Sequence, residues 1–520
     1  MILKRLPTSL NMVNCMAHKS MTSSVGCCGI SMDLESGLAG GSWAREKGYD
    51  LVVIGGGAAG FAAIVKYREL LGFEKRIAMI TKGPIGGTCV NVGCVPSKHL
   101  IETAKAFKIR EIFSRRGVKV SQVGIEFPSI MKSLREFVES IRRDKYEKLL
   151  EHYDVDLYIG TARFTSPKSI SVSSGDGRID IYGEHFIVAT GSRPSTPRID
   201  GLNEISYYTS DTIWGVEELP GRMLVMGSGA IGLELAQAFA RLGSIVEVVE
   251  ILDRPLPGVE PEISKALGDI LSKEGVKIYT KSKVAGFSRR GSRVVAKILT
   301  PQGSVEEEYD AVLIATGRRP NTEDLGLELA GIEVDNKGFV RVSRDLRTSN
   351  PKIYAAGDVA GTPKPALLET LAAKEGATAA ENIALGGEKS IDYEATPVVI
   401  FTDPEVAYVG FTEHRLVEAI GMCSCRVVGF NLTAKSGIMG VEQGLAKIVV
   451  DPRSNVIVGV HVLAPHASEF IVAASLMIKH RYTVEDLVEA IHVFPTAYEV
   501  MKLAGQAFIR DVGRMPCCVE

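Results

Sequence analysis

Two copies of one pattern, an apolar strand that enters a glycine-rich turn and then an apolar helix, constrain this fold most. The first copy, residues 50–60, reads Asp-Leu-Val-Val-Ile-Gly-Gly-Gly-Ala-Ala-Gly, and the second, residues 222–232, reads Arg-Met-Leu-Val-Met-Gly-Ser-Gly-Ala-Ile-Gly. Glycines at this spacing allow a tight turn, close backbone approach to a pyrophosphate, and tight helix–strand packing. The N–H groups that begin the helix then face the phosphates. Two such copies predict two nucleotide sites in an α/β protein.

The residues expected to contact the two nucleotides are those that form the turns. They are Gly55, Gly57, Ala59 and Gly60 in the first copy and Gly227, Gly229, Ile231 and Gly232 in the second. The apolar runs before each turn read as buried parallel strands, and the strands that follow are predicted at residues 76–80 and 245–249.

Beyond the two turns the pattern changes toward the C-terminus. Buried strands end in a Thr-Gly turn within residues 186–194 and 311–320. From about Tyr393 onward, strands alternate with amphipathic helices, and no nucleotide motif is present. The segments concerned are strands at 446–450 and 456–462 and helices at 469–480 and 484–491. We expect this last region to be an α+β domain that forms a subunit interface.

Composition excludes several classes of partner. The 520-residue chain is 45% hydrophobic and 23% charged, which is typical of a globular protein with a large core. Its formal net charge of -2 gives no reason to expect nucleic acid or an anionic membrane as a partner. The longest apolar runs, residues 51–65 and 223–233, are broken by glycines and are too short to span a bilayer.

The nine cysteines are unevenly clustered, which favours reactive thiols in a reducing compartment, the cytoplasm, over a secreted disulfide framework. Cys89 and Cys94 lie in residues 86–98, which read Gly-Gly-Thr-Cys-Val-Asn-Val-Gly-Cys-Val-Pro-Ser-Lys. Cys517 and Cys518 are adjacent, near the C-terminal end. We expect two neighbouring thiols on a tail to carry electrons or a soft metal ion.

The remaining cysteines have less clear roles. Residues 1–48 show no strong periodicity, and a transit peptide, a disordered leader and an over-extended start remain open interpretations. Within them, Cys27 and Cys28 are either a second thiol carrier or an incidental pair. Cys423 and Cys425, on a strand-like stretch, are expected to be structural.

From about residue 49 to the end, the chain resembles the flavin-dependent pyridine nucleotide–disulfide oxidoreductases, and residues 86–98 are highly specific to that family. The resemblance implies FAD on the first glycine turn, a nicotinamide dinucleotide on the second, and a redox disulfide between Cys89 and Cys94. It also implies a homodimer in which the partner's C-terminal domain completes each active site. Further cofactor contacts that it implies are Gly87, Thr88, Lys98, Thr190, Gly191, Gly317 and Asp358.

The fold implied is α/β, with two Rossmann-like dinucleotide-binding domains and a C-terminal α+β dimerisation domain. After the leader at 1–48, the FAD-binding domain is expected at 49–198 and 323–392. The NAD(P)-binding domain is expected at 199–322, and the dimerisation domain with its Cys-Cys tail at 393–520.

The chemistry implied is transfer of a hydride from NADH or NADPH to the flavin and of two electrons on to the cysteine pair. By family position, Cys94 lies against the flavin as a thiolate and Cys89 faces the substrate. A helix beginning near Pro96 would place its positive end by these sulfurs and lower a thiol pKa. Lys98 and Glu234 match the ion pair that the family places beside the reactive flavin edge.

One departure from the family pattern concerns the acid–base residue. Members that reduce disulfides carry a His-Pro-Thr motif followed by a Glu, and this His protonates the leaving thiolate. Here residues 492–499 read His-Val-Phe-Pro-Thr-Ala-Tyr-Glu, so Glu499 is present but Phe494 takes the place of the His. General acid–base catalysis is typically worth about 10²–10⁴-fold. His492 lies two residues early and is expected to be a packing or surface residue, so a disulfide substrate is disfavoured.

The tail, residues 502–518, resembles the C-terminus of the mercuric reductases within this family. Hg(II) is a soft cation that thiolate sulfur selects, and reducing it between two thiolates needs no proton donor. The expected metal ligands are Cys89, Cys94, Cys517 and Cys518. Alternatives are a thioredoxin reductase-like enzyme, a dihydrolipoamide dehydrogenase-like enzyme, and a thiol-rich protein that sequesters Hg(II) without turnover.

The nucleotide preference follows from charge. Glu250 ends the second strand of the second nucleotide unit, where a carboxylate accepts hydrogen bonds from the adenosine ribose and repels a 2′-phosphate. We therefore expect NADH, with NADPH possible. In the first unit, Thr81 stands where the family usually has Glu, which predicts a weaker anchor for the adenosine of FAD.

Overall fold

The residues that the computed structural model describes are 47–114, 117–118, 124–175, 177–363 and 367–516. The first strand begins at Lys47, two residues before the expected domain start. The rest of the predicted leader, with Cys27 and Cys28, lies outside the described residues, as do Cys517 and Cys518. No helix in these described ranges combines the length and the apolar character that crossing a bilayer demands.

The first part of the chain forms a mainly parallel sheet of order β3-β2-β1-β6, which β5 and β4 extend as antiparallel strands. Its elements are β1 (Lys47–Ile54), α1 (Ala58–Leu71), β2 (Ile77–Thr81), α2 (Gly87–Asn91), α3 (Cys94–Ser114), α4 (Phe127–Arg142), α5 (Lys148–His152), β3 (Val155–Ile159), β4 (Thr161–Ser166), β5 (Ser169–Ser174), β6 (Gly177–Val188) and β7 (Ser192–Pro194). Leu51, Val52 and Val53 of β1 are fully buried, as a central parallel strand covered on both faces requires.

The second part forms a parallel sheet of order β11-β10-β9-β15-β8 and a separate antiparallel sheet of three strands, β12-β13-β14. Its elements are β8 (Tyr208–Thr209), β9 (Arg222–Met226), α6 (Ala230–Arg241), β10 (Ile245–Val249), α7 (Pro261–Lys273), β11 (Lys277–Tyr279), β12 (Lys283–Arg290), β13 (Arg293–Thr300), β14 (Gly303–Tyr309), β15 (Ala311–Ile314) and β16 (Arg318–Pro320). β16 pairs with β7 and so joins the two nucleotide-type regions.

The chain then returns to the first sheet before entering its last domain. β17 (Ile353–Ala355) pairs in parallel with β6, and α8 (Glu369–Leu385) packs against α1. The last domain has an antiparallel sheet of order β18-β19-β22-β21-β20. Its elements are β18 (Val398–Ile400), β19 (Glu405–Gly410), α9 (Glu413–Ile420), β20 (Ser424–Gly429), α10 (Ala434–Met439), β21 (Leu445–Asp451), β22 (Val456–Ala464), α11 (Ala467–Lys479), α12 (Val484–Glu489) and α13 (Glu499–Gln506). The expected α/β fold with a C-terminal α+β domain is confirmed.

Buried ion pairs fix the second sheet region against the last domain. Arg241, at the end of α6, donates from Nε to Oε2 of Glu274 at 2.8 Å and from Nη1 to Oδ2 of Asp403 at 2.8 Å. Lys447 of β21 is 2% exposed and contacts Glu260, immediately before α7, at 2.9 Å. Because breaking such a buried pair leaves an uncompensated charge, these contacts strongly favour one domain arrangement.

Candidate active site

The two cysteines of residues 86–98 lie on consecutive short elements. Cys89 is half-buried in α2, and Cys94 is the exposed first residue of α3; both are free thiols. The pKa of Cys94 is lowered, first because its sulfur accepts a hydrogen bond from the Cys89 thiol and also because the Lys98 charge is near. The same hydrogen bond and burial raise the pKa of Cys89. The arrangement therefore favours a thiolate at Cys94 and a thiol at Cys89.

Two polar side chains hold the backbone before and after Cys89. Nδ2 of Asn91 donates to the carbonyl oxygens of Ile85 and Gly87, each at 2.9 Å. The indole N–H of Trp214, from the second nucleotide region, donates to the carbonyl of Val92 at 2.8 Å. These contacts stabilise the backbone of residues 86–98, here called the redox segment, and attach it to the neighbouring region.

Lys98 and Glu234 form an ion pair where three regions of the chain meet. Nζ of Lys98, on α3, lies 2.8 Å from Oε2 of Glu234, on α6, and Glu234 is only 5% exposed. The other carboxylate oxygen accepts the backbone N–H of Phe401, after β18, at 2.8 Å. Nζ of Lys98 also lies 4.5 Å from the centre of the Phe401 ring. The pair that the sequence predicted is thus present and fully hydrogen-bonded on its carboxylate side.

The first glycine turn fits a dinucleotide pyrophosphate. No side chain caps α1 at Gly57, so the first-turn N–H groups are not occupied by a capping side chain. A Cβ built on Gly87 would lie 2.7 Å from Cα of Gly57, so the redox segment approaches this turn too closely for any side chain there. Gly55, Gly60, Ala59 and Thr88 lie on the same turn or on the segments that border it.

The other residues expected to contact FAD line the ends of β6 and β17. Oγ1 of Thr190 donates to the carbonyl of Asn321 at 2.7 Å, and the amide of Asn321 returns a bond to the Thr190 carbonyl at 2.9 Å. Gly191 follows in a left-handed conformation. A carboxylate oxygen of Asp358, just after β17, accepts from Oγ of Ser192 at 2.6 Å. The fold therefore brings these residues to the carboxyl ends of adjacent parallel strands, where nucleotides bind in such sheets.

Thr81, the departure in the first nucleotide unit, is buried at the end of β2. Its Oγ1 donates to the carbonyl of Gly83 at 3.0 Å. A Cβ built on Gly56 would lie 3.2 Å from Oγ1 of Thr81, so Thr81 packs directly against the glycine turn. A hydroxyl in place of a carboxylate leaves one acceptor fewer at this end of the site.

The second glycine turn is held by Glu250, which immediately follows β10 and is 7% exposed. Oε2 of Glu250 accepts the backbone N–H of Ser228 at 2.8 Å and its hydroxyl at 2.7 Å, and Oε1 accepts the N–H of Leu252 at 2.9 Å. Gly227 has a φ of 99°, and a Cβ there would lie 2.5 Å from the Ala315 carbonyl oxygen. Gly229 immediately precedes α6, Ile231 and Gly232 lie in its first turn, and Gly317 lies beyond β15. The carboxylate is thus fixed beside the turn.

Glu499, which the sequence placed in an acid–base pair, uses both carboxylate oxygens on backbone groups. Oε1 accepts the N–H of Thr496 at 2.7 Å, and Oε2 accepts the N–H of Ala434 at 3.2 Å. Phe494 is 46% exposed and presents only an aromatic ring. This carboxylate therefore organises the loop around residue 494 without contacting an imidazole.

His492 does not substitute for the missing acid–base group. Its Nε2 lies 2.9 Å from the carbonyl oxygen of Leu487, and its ring stacks on Tyr498 with centroids 5.4 Å apart. This is the packing role that the sequence indicated. The tail thiols Cys517 and Cys518 lie outside the described residues, so their position relative to Cys89 stays a prediction.

Glu375 was not found from the sequence. It is a buried carboxyl of α8, and burial raises its pKa to about 7. It accepts the Gly357 N–H at 2.6 Å and the Tyr393 hydroxyl at 3.1 Å, next to Asp358. The only signal in the sequence was a Glu on the apolar face of a helix, which periodicity alone cannot separate from a surface residue.

Comparisons with known proteins agree with this geometry. Residues 49–376 match the family described as "Pyridine nucleotide-disulphide oxidoreductase", and residues 396–504 match its dimerisation domain. The mercuric reductase of Streptomyces lividans is 37% identical over 475 residues, covering 91% of this chain and 99% of that protein. The dihydrolipoyl dehydrogenase of Thermus scotoductus is 36% identical over 470 residues, covering 89% and 97%.

A solved structure shows the same fold. It is a Cu(II) complex of the HOCl-induced flavoprotein disulfide reductase RclA from Escherichia coli, with a TM-score of 0.79 and 26% sequence identity. The match covers 90% of this chain and 100% of that one. Both nucleotide-type sheets and the C-terminal domain therefore have a counterpart of known architecture.

Proposed function

Because this chain belongs to the flavin-dependent pyridine nucleotide-disulphide oxidoreductases, we propose that it is a mercury(II) reductase that prefers NADH. One NADH and one Hg(II) would yield NAD⁺, a proton and Hg(0). The first glycine turn would hold FAD and the second NADH, with Glu250 at the adenosine ribose. When bound, FAD supplies the hydride acceptor and the two-electron link to the cysteine pair.

The observation that carries the proposal is the phenylalanine at position 494. Reduction of an organic disulfide releases a substrate thiolate that needs a proton, whereas reduction of Hg(II) held by the protein's own two thiolates releases the neutral atom Hg(0), which needs none. Phe494 cannot supply a proton, and Glu499 is engaged with backbone N–H groups of Thr496 and Ala434. Among the described residues of this loop, His492 is bound to a carbonyl and stacked on Tyr498. The loop is thus suited to a substrate that needs electrons alone.

The residues of the redox segment have distinct proposed roles. The lowered pKa of Cys94 keeps it ready as a thiolate, a ligand that a soft cation selects. Cys89 would lose its proton when the metal binds, because metal coordination requires the thiolate form. Lys98 would hold its positive charge beside the reacting atoms, with Glu234 fixing its direction.

We extend the proposal to the assembly. The match to the dimerisation domain favours a homodimer with shared active sites. In such a dimer, the tail pair Cys517 and Cys518 would capture Hg(II) and pass it to Cys89 and Cys94. A cytoplasmic location fits the free thiols of Cys89 and Cys94. Replacing both tail cysteines with alanine should leave flavin reduction by NADH intact and slow turnover when Hg(II) arrives bound to competing thiols.

A dihydrolipoamide dehydrogenase-like activity is the second candidate. It is favoured by relatives of that name at 34–36% identity and by the retained Glu499. The two candidates make opposite demands on position 494. A protein that already reduces lipoamide needs a proton donor there, and a mercury reductase does not.

The test uses Phe494→His in the flavin-loaded protein. The proposal predicts that the native protein reduces Hg(II) and turns over oxidised lipoamide poorly. The variant should gain lipoamide turnover, by up to about 10²-fold, because the new imidazole can pair with Glu499. Tyr482→His, at a residue that is 46% exposed like Phe494 but lies outside this loop, serves as the matched control. Rapid lipoamide turnover by the native protein, without Hg(0) formation, would reject the proposal.

A further inference from the structure

A second pair of thiols lies in the C-terminal domain, outside the redox segment. Sγ of Cys425 is 3.2 Å from Sγ of Cys423, and Sγ of Cys423 is 3.4 Å from Oε1 of Glu413. One ligand atom from each of the three residues lies within 4.8 Å of the others. All three side chains are partly accessible. Two sulfurs and one carboxylate therefore converge at a place that solvent can reach.

The local structure explains why these groups meet. Cys425 belongs to β20, and Cys423 precedes that strand by one residue, so the two side chains share a face because the strand repeat is two residues. Glu413 is the first residue of α9, whose N-terminus is fixed by the Thr412 side chain and by a bond from the Glu413 N–H to Glu260. The carboxylate is thereby held over the thiol pair.

The surrounding charge favours a cation. Lys447 contacts Glu260 at 2.9 Å, Glu262 at 2.9 Å and Glu413 at 2.7 Å. Three carboxylates face one ammonium, so these four side chains together carry excess negative charge. Since Nζ of Lys447 already fills the space between the carboxylates, an added cation has its place on the sulfur side of Glu413. There its two positive charges would offset the negative charges of the two thiolates that form when the thiol protons leave.

We propose that Cys423, Cys425 and Glu413 form a second metal site, which binds a soft divalent d¹⁰ cation such as Zn(II), Cd(II) or Hg(II). The two sulfurs bind as thiolates, the carboxylate oxygen binds as third ligand, and two thiol protons are released to solvent. With metal–sulfur bonds of about 2.3 Å, a tetrahedral site places its sulfurs roughly 3.8 Å apart, so the sulfurs must separate by about half an ångström. Side-chain rotation at the partly exposed ends allows this.

Metal binding at this site does not require turnover at Cys89 and Cys94, so it can be tested without measuring catalysis. The protein is prepared with FAD bound and with the other seven of its nine cysteines replaced by serine, and is titrated with Cd(II) under a phosphine reductant. We expect one Cd(II) per chain with thiolate-to-metal charge-transfer absorption in the ultraviolet. Replacing Cys423 and Cys425 with serine as well should abolish both signals.

Two further variants distinguish coordination of the metal by Glu413 from a general effect of negative charge on α9. Glu413→Gln should weaken Cd(II) binding at least about tenfold. Glu418→Gln, on the same helix at a side chain 64% exposed, should leave the affinity unchanged. If the seven-serine protein does not fold, the wild-type flavoprotein should bind one Cd(II) more than its Cys423→Ser/Cys425→Ser variant. Equal stoichiometry in that pair, or an undiminished affinity in Glu413→Gln, would overturn the proposed site.

Discussion

The carboxylate of Glu250 is expected to decide which nicotinamide dinucleotide the protein uses. In Glu250→Gln the amide oxygen can still accept the two Ser228 donors that now bind the carboxylate, but the NH2 group replaces the acceptor of the Leu252 N–H. The substitution keeps the shape of the side chain. It removes the negative charge. The expected result is a loss of preference for NADH over NADPH, since only NADPH carries a phosphate on the adenosine ribose.

The magnitude follows from the position of the carboxylate. Glu250 is 7% exposed, so solvent screens it incompletely. Two unit charges about 4 Å apart repel by roughly 4 kcal/mol at an effective dielectric constant of about 20, and by about 1 kcal/mol in water. Because about 1.4 kcal/mol corresponds to a factor of ten, we expect the ratio of kcat/KM for NADH to that for NADPH to fall at least about tenfold.

The assay is stopped-flow reduction of the bound flavin by each nucleotide at low and high ionic strength. Asp269→Asn, which removes the same charge from a side chain 58% exposed on α7, is the matched control and should leave the ratio unchanged. The effect of Glu250→Gln should shrink as salt is added. An unchanged ratio in Glu250→Gln at low salt would show that this carboxylate does not face the ribose.

Three other substitutions test the charges of the site and of the domain contact. Lys98→Met should move alkylation of Cys94 by iodoacetamide to higher pH in the reduced protein, because the lysine charge lowers the pKa of that thiol. Burial raises the pKa of Glu375 from 4.5 to about 7, so the contribution of this group to stability is fully present below pH 4.5 and is lost as pH rises through 7, by about 3 kcal/mol. Glu375→Gln should flatten that dependence in denaturation midpoints measured from pH 4 to 8. Lys447→Met should cost about 3–5 kcal/mol in urea denaturation by leaving the buried carboxylate of Glu260 without its cation, against less than about 1 kcal/mol for the exposed control Lys265→Met.

Each of these has a clear contrary result. An alkylation profile that stays in place in Lys98→Met would remove the lysine as a cause of thiolate character. A pH dependence that is unchanged in Glu375→Gln would assign it to another group. Equal destabilisation by the substitutions at Lys447 and Lys265 would mean that the buried cluster around Lys447 is solvated and contributes little.

Much of the architecture could be predicted because buried parallel strands read as continuous apolar runs. β10 spans Ile245–Val249, the residues expected, and the apolar helix expected after the second turn is α6, Ala230–Arg241. The antiparallel sheet β12-β13-β14 was not predicted, because its charged and apolar residues alternate irregularly. The helix predicted for 484–491 ends at Glu489, and Ile491 is 91% exposed. The apolar character of Ile491 suggested a longer helix than the one that forms.

Some residues of the candidate active site could likewise be predicted from the sequence, and others could not. The segment 86–98 and the turn glycines are visible because each motif is local in the chain, and a local motif could also identify Lys98. Contacts across domains, such as the Phe401 N–H on Glu234, depend on the assembled fold and have no local signal. The same holds for Cys423 and Cys425, which were expected to be structural. A two-residue spacing on a strand places both side chains on one face, but only the tertiary structure brings Glu413 to them.

The measurement that tests the proposed function most directly is release of mercury vapour by the purified, flavin-loaded protein supplied with NADH and thiol-bound Hg(II). We predict one Hg(0) per NADH oxidised, and complete loss of vapour in Cys89→Ser and Cys94→Ser. The control variant Cys423→Ser should retain release, since that thiol lies outside the redox segment. NADH oxidation without mercury vapour, or vapour release that survives loss of Cys89 or Cys94, would contradict the proposed reaction.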